Sequence, residues 1–267
     1  MLALIALAVL GVAALLAQPW WTERRRELLR TQPFPVAWRR ILRRSVPAVA
    51  RLPTDLQRRL KRHIQVFVVE KAFIGCQGQA ITDEVRVTIA AQACLLLLGD
   101  PRSDYYPRLR QILVYPDTFV ARREQPLGNG LVQEQRLPMA GESWSQGQVI
   151  LAWSDVVAGA ADPADGHNVV LHEFAHQVDQ DTGVADGRPW RPNPALRRRW
   201  AAVMGEALDR LRREPSEVID AYGASDPAEF FAVATEAFFE RPQALLQAAP
   251  QLYEALSRLY RLDPRAW

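Results

Sequence analysis

The chain has 267 residues, of which 49% are hydrophobic and 24% are charged. This balance excludes a disordered chain and is typical of a globular protein with a sizeable core. The two cysteines, Cys76 and Cys94, do not form a C-x-x-C pair. They predict buried free thiols rather than a cysteine metal site, with a disulfide between them as the alternative.

The net charge of +3 is distributed unevenly along the chain. Residues 22–62 carry thirteen Arg and Lys against three Asp and Glu, so the rest of the chain is mildly acidic. Such a split indicates a basic segment that faces an anionic partner.

An apolar run without charged side chains extends from Leu2 to Ala17, and Trp20 and Trp21 follow it. Residues 1–21 are long enough to span a bilayer, with the tryptophans placed as interfacial residues. A cleaved signal peptide is disfavoured because no basic residue precedes the run. Because arginines follow it, we expect one N-terminal transmembrane helix in the inner (cytoplasmic) membrane, with the rest of the chain in the cytoplasm. The alternatives are a buried core helix and a cytoplasmic protein.

Residues 22–52 are rich in arginine, with Trp38, Ile41 and Leu42 interleaved. This pattern is typical of an amphipathic helix on anionic lipid, and a solvated helical face is the alternative. No nucleic-acid-binding motif accompanies it, so we expect no direct contact with nucleic acid. We therefore divide the chain into an anchor at 1–21, a basic juxtamembrane segment at 22–52 and a main domain at 53–267.

Helix and strand signals alternate in the first half of the main domain. A capping box at Thr54 predicts a helix to about Glu70, and Thr82 opens a second helix that ends at Gly99. Short apolar runs predict strands at 111–115 and 148–153, with a loop or loose hairpin at 122–136.

The segment Val170–His176 contains the pattern His-Glu-x-x-His. Histidines four residues apart project from one helix face, so His172 and His176 can bind one Zn²⁺. Glu173 lies beside them and can take a proton from the attacking water. Asn168 is a predicted N-cap and Thr182-Gly183 a predicted stop for this helix. The pattern indicates a zinc peptidase, and a surface helix with two solvated histidines is the alternative.

A catalytic zinc needs a third protein ligand, and the helix that follows Asp226 offers two candidates. Asp226 and Glu229 resemble a capping box, which gives Glu229 a structural role, and Glu240 lies at the exposed end of the helix. Glu236 lies among phenylalanines, where an unpaired carboxylate is costly. We expect Glu236 as the third ligand. Glu229, seven residues away on the same face, is the second choice.

Three further assignments concern Asp179, Tyr222 and residues 149–153. Asp179 is a candidate to orient a ligand histidine, with helix surface charge as the alternative. Tyr222 is a candidate donor to the transition-state oxyanion, with a packed loop tyrosine as the alternative. Residues 149–153 are hypothesised to form an edge strand that pairs with a peptide substrate, and ordinary sheet core fits them equally well.

Four stretches together resemble the Mlc titration factor A family of glucose-regulated zinc metallopeptidases. They lie at 73–98, 141–155, 172–176 and 225–236, and the resemblance extends over about residues 53 to 267. It implies a zincin of the gluzincin type, similar in its active site to the catalytic domain of the lethal factor toxin. It also implies His172, His176 and Glu236 as zinc ligands and Glu173 as the general base. Members of this family act as peptidases and bind the glucose repressor Mlc, which relieves repression of sugar-uptake genes.

The sequence therefore predicts an α+β fold: a mostly helical, zincin-like metallopeptidase domain with a small mixed sheet, preceded by a transmembrane helix. We expect a zinc-dependent peptidase that cleaves a peptide or protein substrate and also acts on an Mlc-type repressor. The alternative is a regulatory protein that sequesters the repressor with little or no peptidase activity.

Overall fold

The structure is a computed structural model. It describes the backbone of residues 2–100, 103–117, 119–126, 132–139, 141–144, 147–180, 185–189 and 193–267. Side chains are described for residues 14, 16–100, 103–117, 147–180, 185–189 and 193–267. The predicted helix stop at Thr182-Gly183 lies outside the described residues.

Helices dominate the described chain. They are α1 (Leu2–Thr31), α2 (Val36–Ser45), α3 (Ala48–Arg51), α4 (Thr54–Glu70), α5 (Asp83–Leu95), α6 (Trp153–Ala161), α7 (Val169–Asp179), α8 (Pro194–Arg213), α9 (Pro227–Glu240), α10 (Pro242–Ala248) and α11 (Pro250–Tyr260). α4 has the predicted bounds, but its N-cap is Pro53 and no side chain caps it, so the capping box predicted at Thr54 does not form. The start of α5 agrees with the capping signal at Thr82. The side chain of Thr82 accepts a hydrogen bond from the amide of Val85, as an N-cap does.

One sheet has four strands: β1 (Ala72–Gly75), β2 (Gln111–Tyr115), β5 (Gly141–Trp144) and β6 (Gln148–Ala152). Their order in the sheet is β1-β2-β6-β5. β1, β2 and β6 are parallel, and β5 runs antiparallel to β6. A separate two-stranded sheet pairs β3 (Phe119–Pro126) antiparallel with β4 (Val132–Met139).

The pairing of β6 corrects one expectation. β6 is bonded to β2 on one side and to β5 on the other, so residues 149–153 do not form an edge strand. Val149 and Leu151 are fully buried, as in the core of a sheet. The strand at the end of the sheet order on this side is β5.

The N-terminal helix corrects a second expectation. Within the described residues no helix is long and apolar enough to cross a bilayer, so the predictions of a transmembrane segment at 1–21 and of an inner-membrane location were wrong. α1 continues past the apolar run to Thr31, and its charged half contacts the domain. Arg26 donates to both carboxylate oxygens of Glu70, at 2.8 and 3.1 Å, and to Oδ1 of Asp104 at 3.1 Å. An apolar run in the sequence does not by itself distinguish a membrane span from the start of a longer helix that packs on the domain.

The basic segment 22–52 also packs on the protein. Leu42 on α2 and Val49 on α3 are buried in the hydrophobic core. Trp38 donates from its indole nitrogen to Asp83 at 3.0 Å. The apolar face predicted to lie on lipid therefore contacts the start of α5 and the core behind it.

The core that positions α7 is largely aromatic. Phe174, on the inner face of α7, is fully buried and its ring lies 4.9 Å from that of Tyr106 and 5.7 Å from that of Phe67. On α9, Phe230 and Phe238 are also fully buried. Because both helices direct these rings into the same core, α7 and α9 pack against each other.

Candidate metal centre

The two histidines are positioned by the N-cap and the buried face of α7. Oδ1 of Asn168 accepts a hydrogen bond from the amide of Leu171 at 3.0 Å, as an N-cap does. Burial of Leu171 and Phe174 fixes the rotation of the helix about its axis. His172 and His176 then share the face next to α9, with ring centroids 5.0 Å apart.

Glu229 enters the site from the first turn of α9. Oδ1 of Asp226 accepts hydrogen bonds from the amides of Ala228 and Glu229, so Asp226 caps the helix alone. The Glu229 carboxylate turns towards the histidines instead. Its Oε2 lies 2.9 Å from Nε2 of His172 and 3.5 Å from Nε2 of His176.

His172, His176 and Glu229 form a cluster that can hold a metal ion. One ligand atom from each lies within 4.8 Å of the other two. Two imidazole nitrogens and one carboxylate oxygen form the donor set of a catalytic zinc site, in which the fourth position stays open. The cluster contains the second choice of the sequence analysis, Glu229, and not the first.

Glu236 lies on the other side of the His172 ring. Its Oε1 is 2.8 Å from Nδ1 of His172, and its Oε2 accepts a hydrogen bond from the amide of Asn168 at 2.5 Å. These partners stabilise a carboxylate that is only 6% exposed, so its burial needs no metal. A carboxylate on the second nitrogen of a ligand histidine fixes the tautomer and the orientation of the ring.

The charges within this cluster favour an ionised carboxylate next to a protonated imidazole. Burial opposes a charge on His172, but hydrogen bonds to Glu229 and Glu236 outweigh it and hold the pKa of His172 well above its ordinary value. Burial also opposes a charge on Glu229, yet hydrogen bonds from His172 and His176 hold its pKa well below the usual range. The site therefore presents negative charge to any cation that replaces the imidazolium proton.

A cavity of about 470 Å³ opens beside the cluster. His172, Glu173, Tyr222 and Glu236 line it, together with Asp155, Ala158, Gly159, Asp165, His167, Asn168, Val169, Asp220 and Val233. Glu173 is 5% exposed, so the predicted general base lies at the wall of this cavity and is largely shielded from solvent.

Tyr222 lies at the mouth of the cavity and is 55% exposed. Its ring centroid is 6.1 Å from that of His172. Asp220 caps its single helical turn by accepting a hydrogen bond from the Tyr222 amide at 2.7 Å. Tyr222 is thus close to the predicted ligands, and its catalytic role stays a prediction.

Asp179 is fully buried at the end of α7. Its Oδ2 accepts a hydrogen bond from the amide of Gly187 at 2.6 Å, and burial raises its pKa to about 6. This contact joins the end of α7 to residue 187. The predicted orienting role of Asp179 stays a prediction.

Comparisons with known proteins agree with this geometry. A family model described as "Glucose-regulated metallo-peptidase M90" matches residues 20–261. The chain belongs to the glucose-regulated metallo-peptidase M90 family. The M90 match begins at residue 20 and therefore includes the whole basic segment, 22–52, as well as the main domain up to residue 261.

Three relatives show the extent of the similarity. "Uncharacterized protein slr2042" of Synechocystis sp. is 41% identical over 268 residues, which cover 98% of this chain and 97% of that protein. "Mlc titration factor A" of Klebsiella pneumoniae subsp. pneumoniae is 33% identical over 229 residues, 83% of this chain and 85% of the relative. The protein of the same name from Salmonella agona is 31% identical over 251 residues, 91% and 92% of the two chains. The predicted resemblance to the Mlc titration factor A family is thus confirmed.

The sequence analysis missed one contact of this M90 domain. Nδ2 of Asn168 donates to Oε1 of Glu240 at 2.9 Å, and the amide of Gly166 donates to Oε2 at 3.1 Å. The position of Glu240 before Arg241-Pro242 suggested an exposed helix end. Glu240 is instead buried, at 7% exposure. The available signal was its spacing: Glu229, Glu236 and Glu240 recur at seven and four residues on one helix face.

Proposed function

We propose that the protein is a zinc-dependent peptidase in which His172, His176 and Glu229 bind the metal and Glu173 is the general base. One observation carries this proposal: three ligand atoms converge within 4.8 Å of one another, next to a shielded glutamate in the same motif. Membership of a metallo-peptidase family supports the same class of reaction. Glu229 replaces Glu236 as the third ligand because only Glu229 approaches Nε2 of both histidines.

The donor set fits zinc. Mg²⁺ and Ca²⁺ prefer sites built from oxygen ligands, whereas two histidine nitrogens with one carboxylate suit Zn²⁺. Nε2 of His172 faces Glu229 while Nδ1 is held by Glu236, so the ring is oriented for a ligand on Nε2.

The reaction that these residues support is hydrolysis of a peptide bond. When bound, zinc polarises the scissile carbonyl and lowers the pKa of the attacking water. Glu173 takes the proton from that water and later donates it to the leaving amine. Tyr222 donates a hydrogen bond to the carbonyl oxygen as negative charge develops there. Glu236 keeps His172 in the orientation that the reaction needs.

The end of the sheet offers a place for the substrate backbone. β5 contacts α7 and lies at the end of the strand order, where an extended peptide can add as a further strand. We assign to β5 the role that the sequence analysis gave to residues 149–153. Recognition through the backbone predicts broad tolerance of substrate side chains.

A second candidate function rests on the relatives. The Klebsiella and Salmonella relatives are called titration factors for Mlc. We propose that this chain also binds an Mlc-type repressor. Size-exclusion chromatography of the two purified proteins tests this directly, and a complex that survives removal of the metal would separate binding from peptidase activity. Co-elution supports the proposal, and separate elution at micromolar concentrations contradicts it.

The peptidase proposal is tested by removal and return of the metal. The full chain is assayed on a mixture of unrelated peptides, after treatment with a chelator and after addition of one equivalent of Zn²⁺. We expect cleavage to stop in the chelator and to return with zinc. Cleavage that continues in the metal-free protein would rule out the proposed role of the cluster.

A further inference from the structure

Three hydrogen bonds join the start of α7, and the residues just before it, to α9. The backbone amide of Asn168 donates to Oε2 of Glu236 at 2.5 Å, and its side-chain Nδ2 donates to Oε1 of Glu240 at 2.9 Å. The backbone amide of Gly166 donates to Oε2 of Glu240 at 3.1 Å. Since Glu236 and Glu240 lie about one turn apart, these bonds hold α9 at two points against the start of α7.

The side chain of Asn168 also contacts α6. Nδ2 donates to the carbonyl oxygen of Gly159 at 3.2 Å. The residue four positions after Gly159 is Pro163, which has no amide proton, so the usual helical bond to this carbonyl cannot form. Oδ1 accepts from the amide of Leu171, so both polar atoms of a side chain that is only 4% exposed are hydrogen-bonded. These partners fix the orientation of the amide group.

Gly159 permits the close approach of α6 to Asn168. A Cβ atom at residue 159 would lie 3.0 Å from Cα of Asn168 and 3.1 Å from the carbonyl oxygen of His167. Both distances are shorter than an ordinary van der Waals contact, so a methyl group here would displace residues 167–168 by a few tenths of an ångström. The amide that donates to Glu236 belongs to this same backbone segment.

We propose that Asn168 is a positioning residue for the metal centre, an inference that rests on the function proposed above. α7 supplies His172 and His176 to the metal cluster, and α9 supplies Glu229. Asn168 joins these two helices and also holds Glu236, whose other oxygen lies 2.8 Å from Nδ1 of His172. Loss of its bonds therefore moves the ligands relative to one another and lowers the metal affinity.

The zinc affinity of the full chain, measured by competition against a chromophoric chelator, tests this role without reference to activity. Asn168→Ser keeps an oxygen that can cap α7 and removes both side-chain donor bonds, so we expect zinc to bind about tenfold more weakly. Asn193 is the exposed N-cap of α8, accepts from the amide of Ala195 at 2.8 Å and does not line the metal-centre cavity. The matched control Asn193→Ser should change the zinc affinity by less than about twofold.

A second pair of variants acts through the backbone and removes no hydrogen-bonding group. Gly159→Ala places a methyl group against Asn168 and should weaken zinc binding several-fold, although alanine favours a helix more than glycine does. In the control Gly205→Ala, on α8, the added Cβ meets nothing within 4 Å, and the zinc affinity should not change. This pair decides the question if Asn168→Ser does not fold.

Urea unfolding of the metal-free proteins separates a change in stability from a change in metal affinity. The inference is overturned if either Asn168→Ser or Gly159→Ala folds and binds zinc as tightly as the wild type, whatever its stability. It is also overturned if the two controls weaken zinc binding as much as their partners do. A folded wild-type protein that binds no zinc would contradict the proposed metal centre itself, and this inference with it.

Discussion

Nδ1 of His172 lies 2.8 Å from Oε1 of Glu236, so this carboxylate holds the ring nitrogen that faces away from Glu229. The two glutamates of α9 thus contact opposite sides of one imidazole. In the proposed site, Glu229 binds the metal and Glu236 orients the ring that binds it.

The two glutamates should differ in their effect on zinc affinity. Glu229→Gln removes a ligand and should prevent stoichiometric zinc binding, with a loss greater than about a hundredfold. Glu236→Gln removes only the orienting carboxylate and should cost about tenfold to a hundredfold. Competition against a chromophoric chelator measures both constants. A larger loss in Glu236→Gln would return Glu236 to the role of ligand.

Tyr222 should affect turnover rather than metal content. Tyr222→Phe removes one hydrogen-bond donor to the developing oxyanion, for which we expect a loss in kcat on the order of a hundredfold. Zinc content and KM should change little, because the ring remains and no ligand is lost. Equal kcat values for the variant and the wild type would show that Tyr222 is only a loop residue at the cavity mouth.

Glu240 should make stability depend on pH. The pKa of Glu240 is raised to about 8, chiefly by burial. The hydrogen bond from Asn168 opposes this shift, and the nearby acids Asp165 and Glu236 reinforce it. The folded protein thus holds a proton that the unfolded chain releases above about pH 4.5. This contribution to the free energy of unfolding is complete below pH 4.5 and is lost as the pH rises through 8.

Urea unfolding between pH 5 and 9 measures this effect, with Glu240→Gln as the matched variant. A glutamine keeps the shape of the side chain and cannot ionise, so the decline in stability with rising pH should become shallower. If wild type and variant show parallel pH profiles, Glu240 does not hold the proton.

The contact between α1 and the domain should stabilise the fold. Arg26→Ala removes the two hydrogen bonds to Glu70 and leaves the Glu70 carboxylate without its arginine partner. We expect the free energy of unfolding to fall by about 2 kcal/mol. Arg25→Ala, the control, removes an exposed arginine of the same helix and should cost less than about 0.5 kcal/mol. Urea unfolding compares the two, and equal stabilities would show that α1 does not bind the domain in solution.

The sequence predicted the elements whose signals are local. The extent of α4 follows from helical spacing, and the start of α7 follows from Asn168 as N-cap. The placement of both histidines on one face of α7 needs only the helical repeat. Each of these features depends on residues within one or two turns of one another.

The sequence did not decide what depends on distant residues. Glu229 and Glu236 share a face of α9, and only the position of α7 decides which of them reaches Nε2 of both histidines. The capping role given to Glu229 is filled by Asp226 alone. Similarly, the buried position of β6 depends on its pairing with β5, and the docking of α1 depends on Glu70, far along the chain.

The most direct test of the central claim compares the wild-type protein with Glu173→Gln. Zinc content and peptide cleavage are measured on the same samples. We predict about one zinc per chain in both proteins, and cleavage by the wild type alone, because the glutamine cannot take the proton of the attacking water. If both proteins bind zinc and cleave at equal rates, Glu173 is not the general base and the proposed mechanism is contradicted.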